Sequence, residues 1–117
     1  MLAIGLWLVF ISIMKEGVIT MSSPVALINV FEIPAGTEQA FVAWWQKSSE
    51  ALKQEPGFID AKLHRSLKVG ARFQFINIAH WESADALDRA RRRNADILQA
   101  LEAGKGTPAL YEVALEY

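Results

Sequence analysis

Two asparagines stand within segments that are otherwise apolar, and their amides are the first candidates for chemistry. Asn29 lies within Val25–Ile33, and Asn77 lies within Phe73–Ser83. A carboxamide in an apolar layer needs hydrogen-bond partners. Either the two amides bond to each other or to a buried water, or they line a pocket and hold a substrate carbonyl or a bound dioxygen species. The sequence leaves both alternatives open.

A second candidate group is the imidazole of His80, three residues beyond Asn77. Histidine titrates near neutral pH without perturbation, so by residue type it is the best general base in the chain. Its place at a strand end, beside Trp81, puts it near the mouth of a pocket. The alternative is an ordinary, partly exposed histidine. If the protein is an enzyme, we expect His80 and Asn29 to be its catalytic residues.

Four side chains are expected to contact a substrate: Asn77, Asn94, Trp44 and Phe75. Asn94 is polar on the apolar stripe of a predicted helix, where it closes the pocket or, alternatively, marks a local helix break or tilts into solvent. The aromatic rings belong to the core, although one of them could wall an aromatic substrate. Two histidines and no cysteine, without carboxylates at suitable spacing, predict no metal site.

Composition and charge exclude several classes of protein. Hydrophobic residues make up 52% of the 117 residues and charged residues 21%, which indicates a globular domain. A net charge of −1 gives no general attraction to nucleic acid or to anionic lipid. Arg89, Arg91, Arg92 and Arg93 are therefore interpreted as a solvated helix face. We expect a cytoplasmic protein without nucleic-acid or membrane partners.

The first 20 residues differ from the rest of the chain. Leu2–Met14 is almost continuously apolar, but it is shorter than the roughly 20 residues that cross a bilayer as a helix. We expect Met21 to begin the functional domain, 21–117, with residues 1–20 an upstream extension of the reading frame. The alternatives are an extra element packed on a partner chain and a weak membrane anchor.

Hydrophobic periodicity predicts the order β-α-β-β-α-β. Thr37 and Ser83 are the expected helix N-caps. The predicted strands are 25–33, 58–66, 73–83 and 109–117, and the helices run over 38–54 and from Ser83 to about Gly104. With right-handed crossovers this order gives a ferredoxin-like α+β fold, a four-stranded antiparallel sheet with both helices on one face.

The first and third strands are apolar on both faces, although helices cover only one. On the uncovered side lie Ala26, Ile28 and Val30 from the first strand and Ile76 and Ile78 from the third. The simplest cover is a second copy of the same sheet. A homodimer is therefore expected.

Several motifs resemble the antibiotic biosynthesis monooxygenase family. They are Asn29–Gly36, the turn Pro56-Gly57-Phe58, and Phe75–Ser83 leading into Ala86-Leu87. The resemblance covers about residues 25–117 and implies a dimeric α/β barrel. It places Asn29 where the haem-degrading branch and its relatives have a pocket asparagine, and it matches Trp81 to a strand-ending tryptophan that is more often structural than catalytic.

The chain departs from the family at two helix positions. Many members carry a histidine about nine residues beyond that tryptophan, and haem-degrading members have a tryptophan near there and an axial histidine further along. Here the residues are Ala90 and Ala100. Haem is therefore disfavoured, and no cofactor is expected. The resemblance implies a cofactor-independent monooxygenase of a small phenolic or quinol-type aromatic, with a non-catalytic binding or structural dimer as the alternative.

Overall fold

The computed structural model describes residues 23–99 and 105–117. Four strands and three helices alternate along the described chain in the predicted order, with the second helix interrupted. They are β1 (Val25–Glu32), α1 (Glu38–Leu52), β2 (Phe58–Arg65), β3 (Phe75–Trp81), α2 (Ala84–Arg93), α3 (Ala95–Leu98) and β4 (Lys105–Tyr111). The predictions for residues 1–20 and for a helix end at Gly104 lie outside the described residues.

The strands form one antiparallel sheet in the order β2-β3-β1-β4. The ferredoxin-like α+β arrangement is thereby confirmed, with β1 and β3 in the centre as expected. Successive side chains of a strand point to opposite faces. Leu27 and Phe31 on β1, with Ala79 and Trp81 on β3, are buried on the helix-covered face.

The helix-covered face holds two hydrophobic clusters. One surrounds Trp81 and includes Leu27, Ala79, Ala86, Leu87 and Ala90. The other consists of Phe31, Phe41 and Phe75, and the rings of Phe41 and Phe75 stack with centroids 4.9 Å apart. Burying an aromatic side chain of this size contributes about 1.5–3 kcal/mol. These two clusters hold α1 and α2 against the sheet.

The two predicted helix caps differ in the structure. Ser83 accepts a hydrogen bond from the Ala86 backbone N–H at 3.0 Å, so this predicted cap is confirmed. Thr37 makes no side-chain cap to α1 and instead donates from its hydroxyl to the Pro34 carbonyl at 2.6 Å. The Thr37 hydroxyl therefore closes the turn before the helix, and its oxygen accepts no hydrogen bond from a helical N–H.

The edge strand β2 departs from the predicted alternation. The register with β3 shifts between Phe58 and Asp60, which places a bulge at Ile59. Phe58 therefore takes the inward position and packs edge-on against Trp81, with centroids 5.3 Å apart. Strict alternation with Ala61 and Leu63 predicts that Ile59 faces the core, but Ile59 is 48% exposed. A bulge inserts one unpaired residue and so reverses the facing of its neighbours.

The last part of the chain also differs from prediction. α2 ends at Arg93, and Asn94 separates it from the four-residue α3. β4 occupies Lys105–Tyr111, four residues before the predicted start, while residues 112–117 are exposed and outside any strand. Pro108 is accommodated because β4 lies at the sheet edge, where a missing N–H need not break the ladder.

Among the residues that the structure describes, no helix covers the other face of the sheet. Ile28, Val30, Ile76 and Ile78 are half-buried there. Polar residues of β2 surround them on one side, and Asp60, Lys62 and His64 are exposed. Among the described residues, no helix has the length and apolar character to cross a membrane.

Candidate functional site

A cleft opens between the helix-covered face of the sheet and the three helices. Its inner part is a cavity of about 90 Å³. The sheet contributes Leu27, Asn29, Phe31, Phe58, Ala61, Asn77, Ala79 and Trp81, and the helices contribute Trp44, Trp45, Ser48, Ser49, Leu52, Leu87, Arg91 and Leu98. The lining is mostly apolar and aromatic with a few polar groups, which is the usual character of a small-molecule site.

Asn29 and Asn77 lie opposite each other on β1 and β3 and form one cross-strand pair. The Oδ1 atoms of both side chains are buried, and neither has a hydrogen-bond partner within the described chain. The amides therefore do not satisfy each other through these oxygens. A buried, unpaired carbonyl costs roughly 1–3 kcal/mol. Two residues whose buried amide oxygens lack donors thus line the cavity.

The wall opposite the sheet comes from the first helix. Trp44 is half-buried and donates from its indole Nε1–H to the Ile97 carbonyl at 3.2 Å. Its ring also meets Phe31 edge-on, with centroids 6.1 Å apart. These contacts fix the indole plane between α1 and α3. Trp44 is therefore positioned as a flat, rigid wall of the cleft, as expected for an aromatic ligand site.

Arg91 is the charged residue of the inner lining and comes from α2. Its side chain is half-buried. Burial lowers the pKa of the Arg91 guanidinium, and the nearby Asp88 carboxylate partly opposes that shift. A guanidinium remains protonated at neutral pH despite such a shift. The cleft therefore contains a cation in a partly desolvated position.

The cleft widens toward β4 into an outer part of about 300 Å³. Asn29, Trp44 and Arg91 line both parts. Gly106 and Pro108 of the edge strand join the lining here. The two parts are therefore continuous around the amide of Asn29.

Three predicted site residues do not line either part of the cleft. His80 alternates with the buried Ala79 and Trp81, so it lies on the opposite face of the sheet, where its Nδ1 is 2.6 Å from Asp60 Oδ1. Phe75 is buried in the second core cluster. Asn94 donates from Nδ2 to Glu55 Oε2 at 3.0 Å and to the Ala90 carbonyl at 2.8 Å. The structure thus brings Asn29, Asn77 and Trp44 into the lining of the cleft, whereas His80, Phe75 and Asn94 do not line it.

Arg91 lines the cleft, although the charge pattern of its helix predicts a solvated face. The missed signal was its spacing, since Arg91 follows the buried Leu87 by four residues and precedes Leu98 by seven. Those intervals place all three on one face of a helix. The true solvated face carries Arg92, which pairs with Asp88 at 2.9 Å.

Comparisons with known proteins give a family match for this chain. Residues 24–102 match the family described as antibiotic biosynthesis monooxygenase. A structure from Shewanella loihica PV-4, described as that of a candidate monooxygenase, is 36% identical, with a TM-score of 0.75, and the match covers 82% of this chain and 99% of that one.

Two further similarities concern haem. A haem oxygenase (mycobilin-producing) of Mycobacterium tuberculosis is 35% identical over 63 residues, and the match covers 54% of this chain and 58% of that relative. A solved haem degrader from the same species, with two haems bound in its active site, is 26% identical, with a TM-score of 0.61 and coverage of 80% and 98%. The chain thus spans less than two thirds of the curated relative it matches.

The expectation that haem is disfavoured and that no cofactor is involved is therefore wrong, because similar proteins bind haem. The cleft itself can be tested against that group. Its flat aromatic wall and the Arg91 cation suit a planar ring with carboxylates. Proteins hold haem iron with His, Cys, Met or Tyr, and none of these types is among the described residues that line the two parts of the cleft. The described lining therefore fits the ring and supplies no side chain of these types to the iron.

Proposed function

The chain belongs to the antibiotic biosynthesis monooxygenase family, and from that premise we propose that it is a monooxygenase of a small, planar, hydroxylated aromatic molecule. The substrate lies in the cleft between Trp44 and the sheet. Its hydroxyl groups donate to the Oδ1 atoms of Asn29 and Asn77. The assignment of these two amides to substrate binding is part of the proposal.

The observation that carries this proposal is the pair of buried acceptors without donors. Two side-by-side carbonyl oxygens favour a ligand that brings its own O–H groups. A phenol or quinol does so while filling an aromatic-walled space. An aromatic hydrocarbon without hydroxyl groups would leave both oxygens unpaired, at the same cost as the empty cleft.

The reaction balances with dioxygen as oxidant. A naphthol-type ring with a free position para to its hydroxyl reacts with O₂ to give a quinone and water. The new carbonyl at the para carbon takes one oxygen atom, and the other leaves as water with the two hydrogens lost from the para C–H and the hydroxyl. Deprotonation of the hydroxyl activates the ring toward oxygen, because it raises the electron density at the para carbon.

Within the described lining of the cleft, Arg91 is the single titratable side chain, so no carboxylate or imidazole there can take the proton. A positive charge nearby favours the ionised form of an acid. Arg91 therefore supports loss of the phenolic proton to solvent, while the Asn29 and Asn77 amides orient the ring. The side-chain Nδ2–H groups of these amides can donate to the phenolate that results.

The test is oxygen uptake by purified protein with 1,8-dihydroxynaphthalene, whose positions para to the two hydroxyls are free, with and without haemin. We expect uptake to fall at least about tenfold in Asn29→Ala and in Asn77→Ala, because each removes a group that orients the ring. His80→Ala is the matched control, since it removes a polar residue from the opposite face of β3, and its uptake should stay within about twofold of the parent.

Uptake that persists in both asparagine variants would overturn the proposal. So would tight binding of the aromatic without any uptake, which is the behaviour of a non-catalytic binding protein. A haemin titration, followed by the Soret band, tests whether the substrate is a porphyrin instead. If haemin is consumed and hydroxyaromatics are not, the substrate is a porphyrin.

We also propose that the protein is a homodimer built on the uncovered face of the sheet. Ile28, Val30, Ile76 and Ile78 lie together there and are only half-buried. A second sheet packed on them would remove this apolar surface from water. Sedimentation equilibrium should give twice the 13.0 kDa chain mass, and a stable monomer at micromolar concentration would contradict the proposal.

A further inference from the structure

We infer that Arg91 makes the cleft selective for planar molecules that carry a carboxylate. This inference deepens the proposed function by naming the substrate class, and it rests on the proposed binding site. The ligand it describes has two ends. Hydroxyl groups face the Asn29 and Asn77 oxygens at the inner end, and a carboxylate faces the guanidinium where the cleft widens.

The position of Arg91 is the first support. It lines the inner cavity, the outer part of the cleft, and a third space of about 230 Å³ beside Leu27 and Pro108. No other described residue lines all three of these spaces. A molecule that reaches from the paired amides toward β4 therefore lies in spaces that the Arg91 side chain lines.

The charges around Arg91 are the second support. The two arginines that follow it are both engaged, since Arg92 pairs with Asp88 and Arg93 pairs with Glu55 at 2.6 Å. Arg91 itself forms no ion pair with another residue of the described chain. Its pKa is lowered by burial, so its charged form is destabilised where it stands. An anionic ligand would offset that desolvation.

The chemistry of the guanidinium selects the anion. Arginine presents a planar fork of N–H donors that matches both oxygens of a carboxylate, and such charge-assisted pairs are among the strongest hydrogen bonds in proteins. A neutral ester of the same shape offers one weaker acceptor and no charge. The site should therefore distinguish an acid from its own methyl ester.

Two kinds of molecule combine a planar conjugated ring with a carboxylate: an aromatic hydroxy acid and a porphyrin with propionates. Arg91 recognises the carboxylate that both kinds of molecule carry. The experiment uses one probe of each kind to distinguish them.

The experiment measures binding under argon, so that no turnover is needed. Quenching of tryptophan fluorescence reports occupancy, because Trp44, Trp45 and Trp81 line the cavity. The probes are 4,5-dihydroxy-2-naphthoate, its methyl ester, and haemin. The variants are Arg91→Gln and Arg91→Lys. Arg89→Gln is the matched control, since Arg89 is an exposed arginine of the same helix that lines none of the three spaces.

We expect the parent protein and Arg89→Gln to bind the naphthoate about ten- to a hundredfold more tightly than its ester, the range of one charge-assisted pair. Arg91→Gln should abolish that preference and leave ester affinity within twofold. Arg91→Lys should keep part of it, because lysine keeps the charge and loses the fork. Retained thermal unfolding temperatures show that the variants are folded.

The inference would be overturned if a preference for the acid survives Arg91→Gln. It would also be overturned if the parent protein binds acid and ester equally and Arg91→Gln leaves the haemin affinity unchanged as well. If haemin alone shows the dependence on Arg91, the carboxylate belongs to a porphyrin. In that case the inference about Arg91 stands and the proposed hydroxyaromatic substrate fails. If the protein prefers the acid but takes up no oxygen in air, the inference about Arg91 stands and the proposed monooxygenase activity fails. The two can be separated because the inference concerns binding and the proposed function concerns turnover.

Discussion

Gly106 of β4 lies directly against the amide of Asn29 on β1. A Cβ atom at position 106 would stand 2.9 Å from Asn29 Oδ1 and 3.2 Å from its Nδ2, and 2.9 Å from a ring carbon of Phe31. Distances below 3.0 Å require a neighbour to move. The absence of a side chain at Gly106 thus leaves room for the amide that borders both parts of the cleft.

Gly106→Ala is therefore expected to displace the Asn29 amide or the Phe31 ring. We expect ligand affinity and oxygen uptake to fall by about tenfold or more, while stability falls by about 1–3 kcal/mol, as for other overpacked sites. Urea denaturation and fluorescence titration measure the two effects. Thr107→Ala on the same strand faces the other side of the sheet and serves as the control. An alanine variant at Gly106 with unchanged affinity would show that the amide does not depend on this contact.

Asn77→Leu should separate stability from function. The Asn77 Oδ1 is buried without a partner within the described chain, so an apolar side chain of similar size removes a desolvation cost. We expect the free energy of unfolding to rise by about 1 kcal/mol and the activity to be lost, a common trade at functional sites. Equilibrium denaturation in urea checks the sign.

The same substitution at Asn94 provides the contrast. Asn94 Nδ2 donates to Glu55 and to the Ala90 carbonyl. Asn94→Leu removes both bonds, so it should lower the stability by about 1–3 kcal/mol. If Asn77→Leu and Asn94→Leu change the free energy of unfolding in the same direction, the unpaired Asn77 oxygen does not destabilise the protein in solution.

The Glu55 carboxylate predicts a dependence of stability on pH. Its pKa is lowered, first by hydrogen bonding from Arg93 and then by the Asn94 amide. A depressed pKa contributes stability above the unfolded-state pKa of glutamate, about 4.3, and that contribution is lost as the pH falls through the lower native value. Stability of the parent protein should therefore drop more steeply below about pH 4.3 than that of Glu55→Gln.

Thermal unfolding from about pH 3 to pH 7 measures this difference. Glu50→Gln is a suitable control, since Glu50 pairs with Lys53 within α1 and does not join separate elements. Parallel pH curves for the parent and Glu55→Gln would contradict the prediction.

Gly57 is the other glycine that the structure requires. Its φ is +93°, and a Cβ atom there would lie 2.5 Å from the Cβ of Ala86 at the start of α2. Its carbonyl accepts a hydrogen bond from the Glu82 N–H at 2.7 Å, so the turn also fastens the end of β3. We expect Gly57→Ala to destabilise the protein by about 1–3 kcal/mol through the clash, with about 1–2 kcal/mol more from the left-handed backbone.

Gly70→Ala isolates the backbone effect. Gly70 has a φ of +75°, but nothing lies within 4 Å of the point where an alanine Cβ would stand. Its alanine variant should therefore lose only about 1–2 kcal/mol. Equal losses in urea denaturation at the two glycines would show that packing against Ala86 contributes nothing.

Much of the fold was predictable from the sequence because it depends on local periodicity. Alternation in β1 and β3 placed Asn29 and Asn77 on the same face as the buried aromatics, and the order of elements made the two strands neighbours. Ser83 marked the start of α2 because its hydroxyl meets a helical N–H three residues on. Each of these features depends only on residues that are close together in the sequence and on the right-handedness of the crossovers.

The arrangement of the site required the tertiary structure, because it depends on contacts between distant segments. The register of β4 against β1 sets Gly106 beside Asn29, and no local pattern encodes that register. Glu55 draws Asn94 away from the cleft, and the packing of α2 turns Arg91 into it. The pairing of β2 with β3 brings the Asp60 carboxylate to His80, on the face opposite the amides. Residue type alone therefore suggested a histidine catalyst, whereas the three-dimensional packing assembled two amides, an indole and a guanidinium.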